Sequence, residues 1–131
     1  MKLKKVLGGL VVAASVFLLA ACGSSSSEDT SLKDIQDKGT LVVALNPEFA
    51  PFEFKTLVDG KDTIVGADVD LAQAIADELG VDLKISSMSF NNVLTSVQSG
   101  KADIAISGIS STAERAKVYD FSEPYYEWAN V

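Results

Sequence analysis

Histidine is absent from this chain, cysteine and tryptophan occur once each, and arginine occurs once, at Arg115. Without histidine the commonest transition-metal ligand is missing. Acid–base and nucleophile-activation schemes that run through an imidazole are excluded with it. A single cysteine, Cys22, excludes an internal disulfide. Cations are also scarce, with 11 Lys and Arg against 18 Asp and Glu, a formal net charge of −7. Such a balance suits neither nucleic acid nor direct adsorption on anionic lipid. No internal repeat is visible, and neither a cofactor nor a metal is expected.

The start of the chain addresses the compartment. Lys2, Lys4 and Lys5 form a positive n-region, and residues 6–21 are apolar except for Gly8, Gly9 and Ser15. That stretch is short for a membrane span, which needs roughly 20 residues, but suits a signal-peptide h-region. It ends Leu19-Ala20-Ala21-Cys22-Gly23, which looks like a bacterial lipobox. In that reading residues 1–21 are a lipoprotein signal peptide and Cys22 is lipidated as the mature N-terminus. The protein is then held on the cell membrane by lipid, facing outward on a Gram-positive-type surface. The other reading is an ordinary signal peptide cut after Ala21, with Cys22 an incidental thiol. Four serines, Glu28 and Asp29 follow, so residues 22–31 read as a flexible tether. Loss of the signal removes three of the eleven cations and none of the eighteen acids, taking the net charge from −7 to −10. Residues 32–131 are enough for one modest core.

Along that core, residues 32–38 predict a short polar helix stopped by Gly39. Residues 40–45 (TLVVAL) are a continuous apolar run, the pattern of a strand covered on both faces. Residues 46–52 read as irregular. Residues 54–58 and 63–65 flank Asp59-Gly60-Lys61-Asp62 as a hairpin. A helix is predicted over 69–79, closed by Gly80, with Asp68 as its N-cap. Strand 82–86, helix 91–98 and strand 103–106 follow. The alternation implies an α/β fold, a parallel-rich sheet with helices on both faces. In such sheets ligands bind outside the C-terminal strand ends. Residues 46–52 and 107–115 both fall there.

Arg115 therefore draws attention. Its guanidinium is a planar fork that holds a carboxylate through two parallel hydrogen bonds, which a lysine cannot do. Ser107, Gly108 and Ser110 lie on the approach, and Ser111-Thr112-Ala113-Glu114 fits a capping box opening a helix whose N–H groups favour an anion. The same pattern is also met by a surface arginine after a plain turn. Phe49 and Phe90 lie in loops at two strand ends and offer aromatic faces for a ligand's aliphatic part. Phe52 and Phe54 alternate with Glu53, and for one or both core packing is the better reading. Asp68 and Asp70 read as a cap and a first-turn acid rather than as a paired-carboxylate catalyst. The run Glu123, Tyr125, Tyr126 and Trp128 carries no role legible from pattern.

Five segments in order give a family resemblance: Pro51-Phe52-Glu53-Phe54, Gly66-Ala67-Asp68-Val69-Asp70-Leu71, Gly100-Lys101-Ala102-Asp103, Thr112-Ala113-Glu114-Arg115, and Asp120-Phe121-Ser122-Glu123-Pro124-Tyr125. From about Gly39 onward the chain resembles the N-terminal half of an amino-acid-binding lipoprotein of an ABC importer, the family-3 extracellular solute-binding proteins. The resemblance implies a periplasmic-binding-protein-like clamp of two α/β lobes, of which residues 32–131 form one incomplete lobe. It further implies that Arg115 grips a free amino acid's α-carboxylate with Ser110 and Gly108, while Phe49 and Phe90 flank its side chain. Asn46 falls where several relatives place an aspartate. An amide there weakens the case for a cationic ligand and favours a polar or neutral amino acid. The implied partners are ABC permease subunits and the membrane, and a monomer is expected. The resemblance also implies a continuation into a second lobe, so the expectation is a fragment with half a site, which cannot close and binds weakly or not at all. Two other functions stay open: an enzyme on the same fold, dehydratase-like or the sensor half of a lytic enzyme, and a non-transport ligand sensor.

Overall fold

A computed structural model describes residues 29–127. The signal peptide, Cys22, the tether through residue 28, and Trp128 lie outside the described residues. In chain order the elements are α1 (Ser31–Lys38), β1 (Thr40–Leu45), β2 (Glu48–Phe49), β3 (Glu53–Val58), β4 (Lys61–Val65), α2 (Ala67–Leu79), β5 (Asp82–Ser87), α3 (Phe90–Gln98) and β6 (Ile104–Ala105), followed by a 3₁₀ turn at Arg115–Lys117.

β1 is the centre. It pairs in parallel with β5 from Thr40↔Asp82 to Leu45↔Ser87, and with β6 at Val43↔Ile104 and Ala44↔Ala105. Its alternate side chains enter two separate cores. Leu41 and Val43 pack with Ala72 and Ala76 of α2 and with Ile106. Ala44 packs on the opposite face with Val93 of α3 and Ala102. An unbroken apolar run is what a strand covered on both faces requires. The expected α/β lobe, parallel sheet and helix-covered faces are all present.

β6 is shorter than the predicted strand 103–106. The Asp103 carboxylate accepts the Val42 N–H at 2.8 Å and receives Lys38 Nζ at 2.8 and 2.7 Å, so a side chain takes a bond that backbone pairing would use. The hairpin also gains a member. β2, within the segment predicted to be irregular, pairs with β3 (Phe49↔Glu53), and β3 pairs with β4 down to Val58↔Lys61. Asp59 and Gly60 close the hairpin with φ of 52° and 76°, the signs a two-residue type I′ turn needs.

Two predicted helix starts are corrected. α2 begins at Ala67 with Gly66 at the cap, so Asp68 is inside the helix and buried rather than capping it. Among the described residues after 111 there is no α-helix, only the three-residue 3₁₀ turn. The capping box does not form. Instead Thr112 Oγ1 accepts the Arg115 N–H at 3.2 Å.

Candidate functional site

Because β1, β5 and β6 run parallel, the segments leaving them emerge at one end. Asn46 stitches all three together. Its backbone N–H donates to Ser107 Oγ at 2.9 Å, and its Nδ2 donates to the Met88 carbonyl at 3.0 Å. With the amide nitrogen held this way, Oδ1 remains as an acceptor without a partner among the described residues. A cleft of about 330 Å³ opens beside it, lined by Asn46, Glu48, Lys55, Met88 and Phe90 among others.

Arg115 is held from two sides. Its Nη1 donates to the Ser110 carbonyl at 3.0 Å, and its Cζ lies 5.9 Å from the Phe90 ring centroid, within cation–π range. Among the described residues no carboxylate stands within ion-pair distance of it. The fork is therefore oriented yet keeps donors for an incoming anion. Ser110 keeps its own N–H and hydroxyl free of partners among the described residues.

Gly108 behaves differently from expectation. Its N–H is already committed, donating to Asp68 Oδ2 at 3.0 Å. What it offers is room: φ is 55°, and a Cβ would meet Phe49 Cε1 at 2.8 Å. The Phe49 ring thus lies directly on bare backbone. It stacks on Phe52 at 5.5 Å between centroids, and Phe52 meets Tyr126 edge-on at 5.0 Å. Phe49 and Phe90 remain 40% and 41% exposed, whereas Phe52 at 8% belongs to the core.

The six candidates are linked in a chain. Asn46 and Phe90 line one cleft, and Arg115 bridges the Phe90 ring and the Ser110 carbonyl. Ser110 and Gly108 line a second cavity of about 500 Å³, and Phe49 lies against Gly108. In place of the expected α-helix stands the three-residue 3₁₀ turn, so no α-helix dipole is directed at this cluster.

Two acids behind the site were not recognised from pattern. Glu53 and Asp68 are both 0% exposed. Glu53 Oε1 accepts the Ser107 hydroxyl at 2.7 Å, and Asp68 Oδ2 accepts both Gly108 N–H and the Tyr125 hydroxyl, the latter at 3.1 Å. Burial, with Asp68 alongside, pushes the Glu53 carboxyl up to about 7. Burial and the Asp68 charge likewise push the Tyr125 hydroxyl above its ordinary range. A signal existed in the aromatic neighbours of Glu53, which sit oddly beside an outward-facing acid.

Residues 41–131 match the model of the bacterial extracellular solute-binding proteins, family 3. The chain belongs to this family. Among its relatives is the arginine-binding extracellular protein ArtP of Bacillus subtilis, 40% identical over 124 residues, 95% of this chain and 45% of that protein. Cyclohexadienyl dehydratase of Pseudomonas aeruginosa is 35% identical over 88% of this chain and 42% of its own length. The chain spans about half the length of the curated relatives it matches. Among solved structures, the substrate-binding protein AbpA of Streptococcus pneumoniae bound to L-arginine is 68% identical, with a TM-score of 0.71 over 72% of this chain and 40% of that one. The arginine-bound form of domain 1 from TmArgBP is 47% identical, with a TM-score of 0.66 and 71% of each chain covered.

Proposed function

We propose that the whole protein captures an amino acid outside the cytoplasm for an ABC-type importer, held to the membrane through a lipid on Cys22, and that the ligand is L-arginine or a close cationic analogue. Arg115 receives the α-carboxylate, with the Ser110 N–H and hydroxyl as further donors, and Gly108 lets the Phe49 ring seat on bare backbone beside them. Phe49 and Phe90 flank the side chain. Asn46 Oδ1, left as an acceptor because its amide nitrogen is tied to Met88, faces the chemistry of a donor such as a guanidinium. This departs from the polar or neutral ligand expected from an amide at position 46. Relatives named for arginine, and a cleft acceptor rather than a donor, support the cationic choice.

The observation that carries the reading is Arg115 itself, oriented by a carbonyl and a ring yet lacking a carboxylate partner among the described residues. Clamp closure over such a pair removes water and strengthens it. Half a site led to the expectation that residues 32–131 bind weakly or not at all; the arginine-bound form of domain 1 from TmArgBP supports the other outcome, retention of ligand by a single lobe, and that is the outcome proposed for this chain.

The test is calorimetry with L-arginine on the full-length protein. Arg115→Ala is expected to cost about 3–5 kcal/mol of binding, because a carboxylate buried by closure loses its partner. Arg115→Lys restores part of that loss, since a point charge replaces the fork. Unchanged affinity in Arg115→Ala sinks the assignment. The dehydratase relative favours a second reading, an enzyme on the same lobe; turnover of a cyclohexadienyl substrate by the full-length protein would establish it.

A further inference from the structure

The buried acids leave a polar account that does not close. Glu53 uses Oε1 and Asp68 uses Oδ2, but Glu53 Oε2 and Asp68 Oδ1 are both buried with no hydrogen-bond partner. Buried acceptors are normally satisfied. Two facing carboxylates, each acceptor-only when ionised, cannot satisfy one another. One proton repairs both atoms, because a protonated carboxyl becomes a donor to its neighbour. The groups facing Glu53 agree: Asp68 comes from α2, Tyr125 from the segment after the 3₁₀ turn, and Ser107 from the turn after β6. Among the described residues no lysine or arginine stands within ion-pair distance of either carboxylate. Nothing offsets a second buried negative charge, so sharing a proton is the arrangement that buried like charges adopt.

The pair also grips the ligand side. Glu53 holds the Ser107 hydroxyl, whose oxygen takes the Asn46 N–H, and Asp68 holds the Gly108 N–H. Asn46, Gly108 and, two residues on, Ser110 are candidate ligand contacts. We propose that Glu53 and Asp68 share one proton and together are the positioning pair for the 107–108 turn, so that ligand capture weakens when that proton is lost. The last clause rests on the amino-acid-binding reading; the shared proton does not.

With the proton present the two acids attract and the turn is fixed. With it removed two anions repel across β3 and α2, and the turn they hold loosens. Glu53→Gln keeps the shape, keeps an acceptor for Ser107 and supplies a permanent donor to Asp68. The experiment follows the Gly108 amide resonance of the full-length protein by NMR as pH is raised, alongside calorimetric L-arginine affinity at about pH 6 and about pH 8.5. In the wild type the resonance is expected to titrate with a midpoint near neutrality, and affinity to fall about ten-fold, roughly one pK unit's worth of coupling. In Glu53→Gln both profiles are expected to be flat. A Gly108 resonance that does not move in the wild type, or moves identically in Glu53→Gln, overturns the shared proton. If Glu53→Gln does not fold, Asp68→Asn gives a second comparison: its amide donates to Glu53, so the Gly108 midpoint is expected to fall below that of the wild type, and an unchanged midpoint overturns the shared proton. Absence of L-arginine binding at both pH values overturns the ligand reading and the coupling to capture, while the Gly108 titration still decides the proton.

Discussion

At Gly108 the backbone and a neighbouring ring compete for one volume. Its φ of 55° is left-handed, and an added Cβ meets Phe49 at 2.8 Å, so alanine there carries both strain and a clash. The ring is the movable partner. Gly108→Ala is expected to cost about 1–3 kcal/mol of stability, as a non-glycine residue in this region does. It is also expected to weaken L-arginine binding, because relief comes by pushing Phe49 off the site. Urea denaturation and calorimetry on one preparation check this, and a variant that binds as tightly as wild type contradicts it. The strand-end positions of Arg115, Phe49 and Phe90 were legible in the sequence because a strand-end rule places them without knowledge of packing. Glu53 and Asp68 were not. Pattern reasoning assigns acids to surfaces and caps, and what retains these two inside is a set of hydrogen bonds to Ser107, Gly108 and Tyr125, 40 to 57 residues away in sequence.

Among the elements, β1 was readable because its apolar run is unbroken and α3 because a glycine stops it, while starts and stops elsewhere depended on distant backbone. α2 shows why. Its first-turn groups at Ala67 and Asp68 donate to the carbonyls of Pro51 and Phe52 at 3.1 and 2.8 Å, so the helix is capped by another segment and not by its own side chain. Asp68, which local logic makes a cap, is released for the interior. The close approach requires Gly66, whose φ is 130° and whose Cβ would stand 2.2 Å from the Phe52 carbonyl oxygen. Backbone on the other side cannot move away as a side chain can. Gly66→Ala is expected to destabilise by roughly 3 kcal/mol or more. Gly80, at the other end of α2 with φ of 70° and nothing within 4 Å, provides the control: Gly80→Ala is expected to cost about 1–2 kcal/mol from backbone conformation alone. Equal losses in the two variants by urea denaturation would mean that the 51–52 contact does not hold α2. The segment after Ser111 starts as a helix would, with Thr112 Oγ1 accepting the Arg115 N–H. It then tightens into i→i−3 bonds, Lys117 to Glu114 and Val118 to Arg115, and ends as a three-residue 3₁₀ turn.

For the whole molecule, the acid pair reverses the usual response of an acidic protein to pH. Most carboxylates in folded proteins are held below their ordinary values and lose stability on acidification. Glu53 is held above its ordinary value of 4.5, at about 7, chiefly by burial. Between those values the unfolded chain has released a proton that the folded chain retains. The folded state thus binds more protons there, and by linkage its stability falls as pH rises through the window. Below about 4.5 the contribution is fully present, and above about 7 it is gone. Chemical denaturation at about pH 5 and about pH 7.5 is expected to give a wild-type protein less stable at the higher pH by roughly 1–3 kcal/mol. Glu53→Gln, which has nothing to titrate at that position, is expected to lose much less. Because the formal net charge is already −7, general self-repulsion also grows with pH, but it grows equally in both proteins. The difference between the two slopes is therefore the quantity that reports Glu53. Parallel slopes would show that the interior acids carry no proton at neutral pH, and that the turn beside Arg115 is held by two anions.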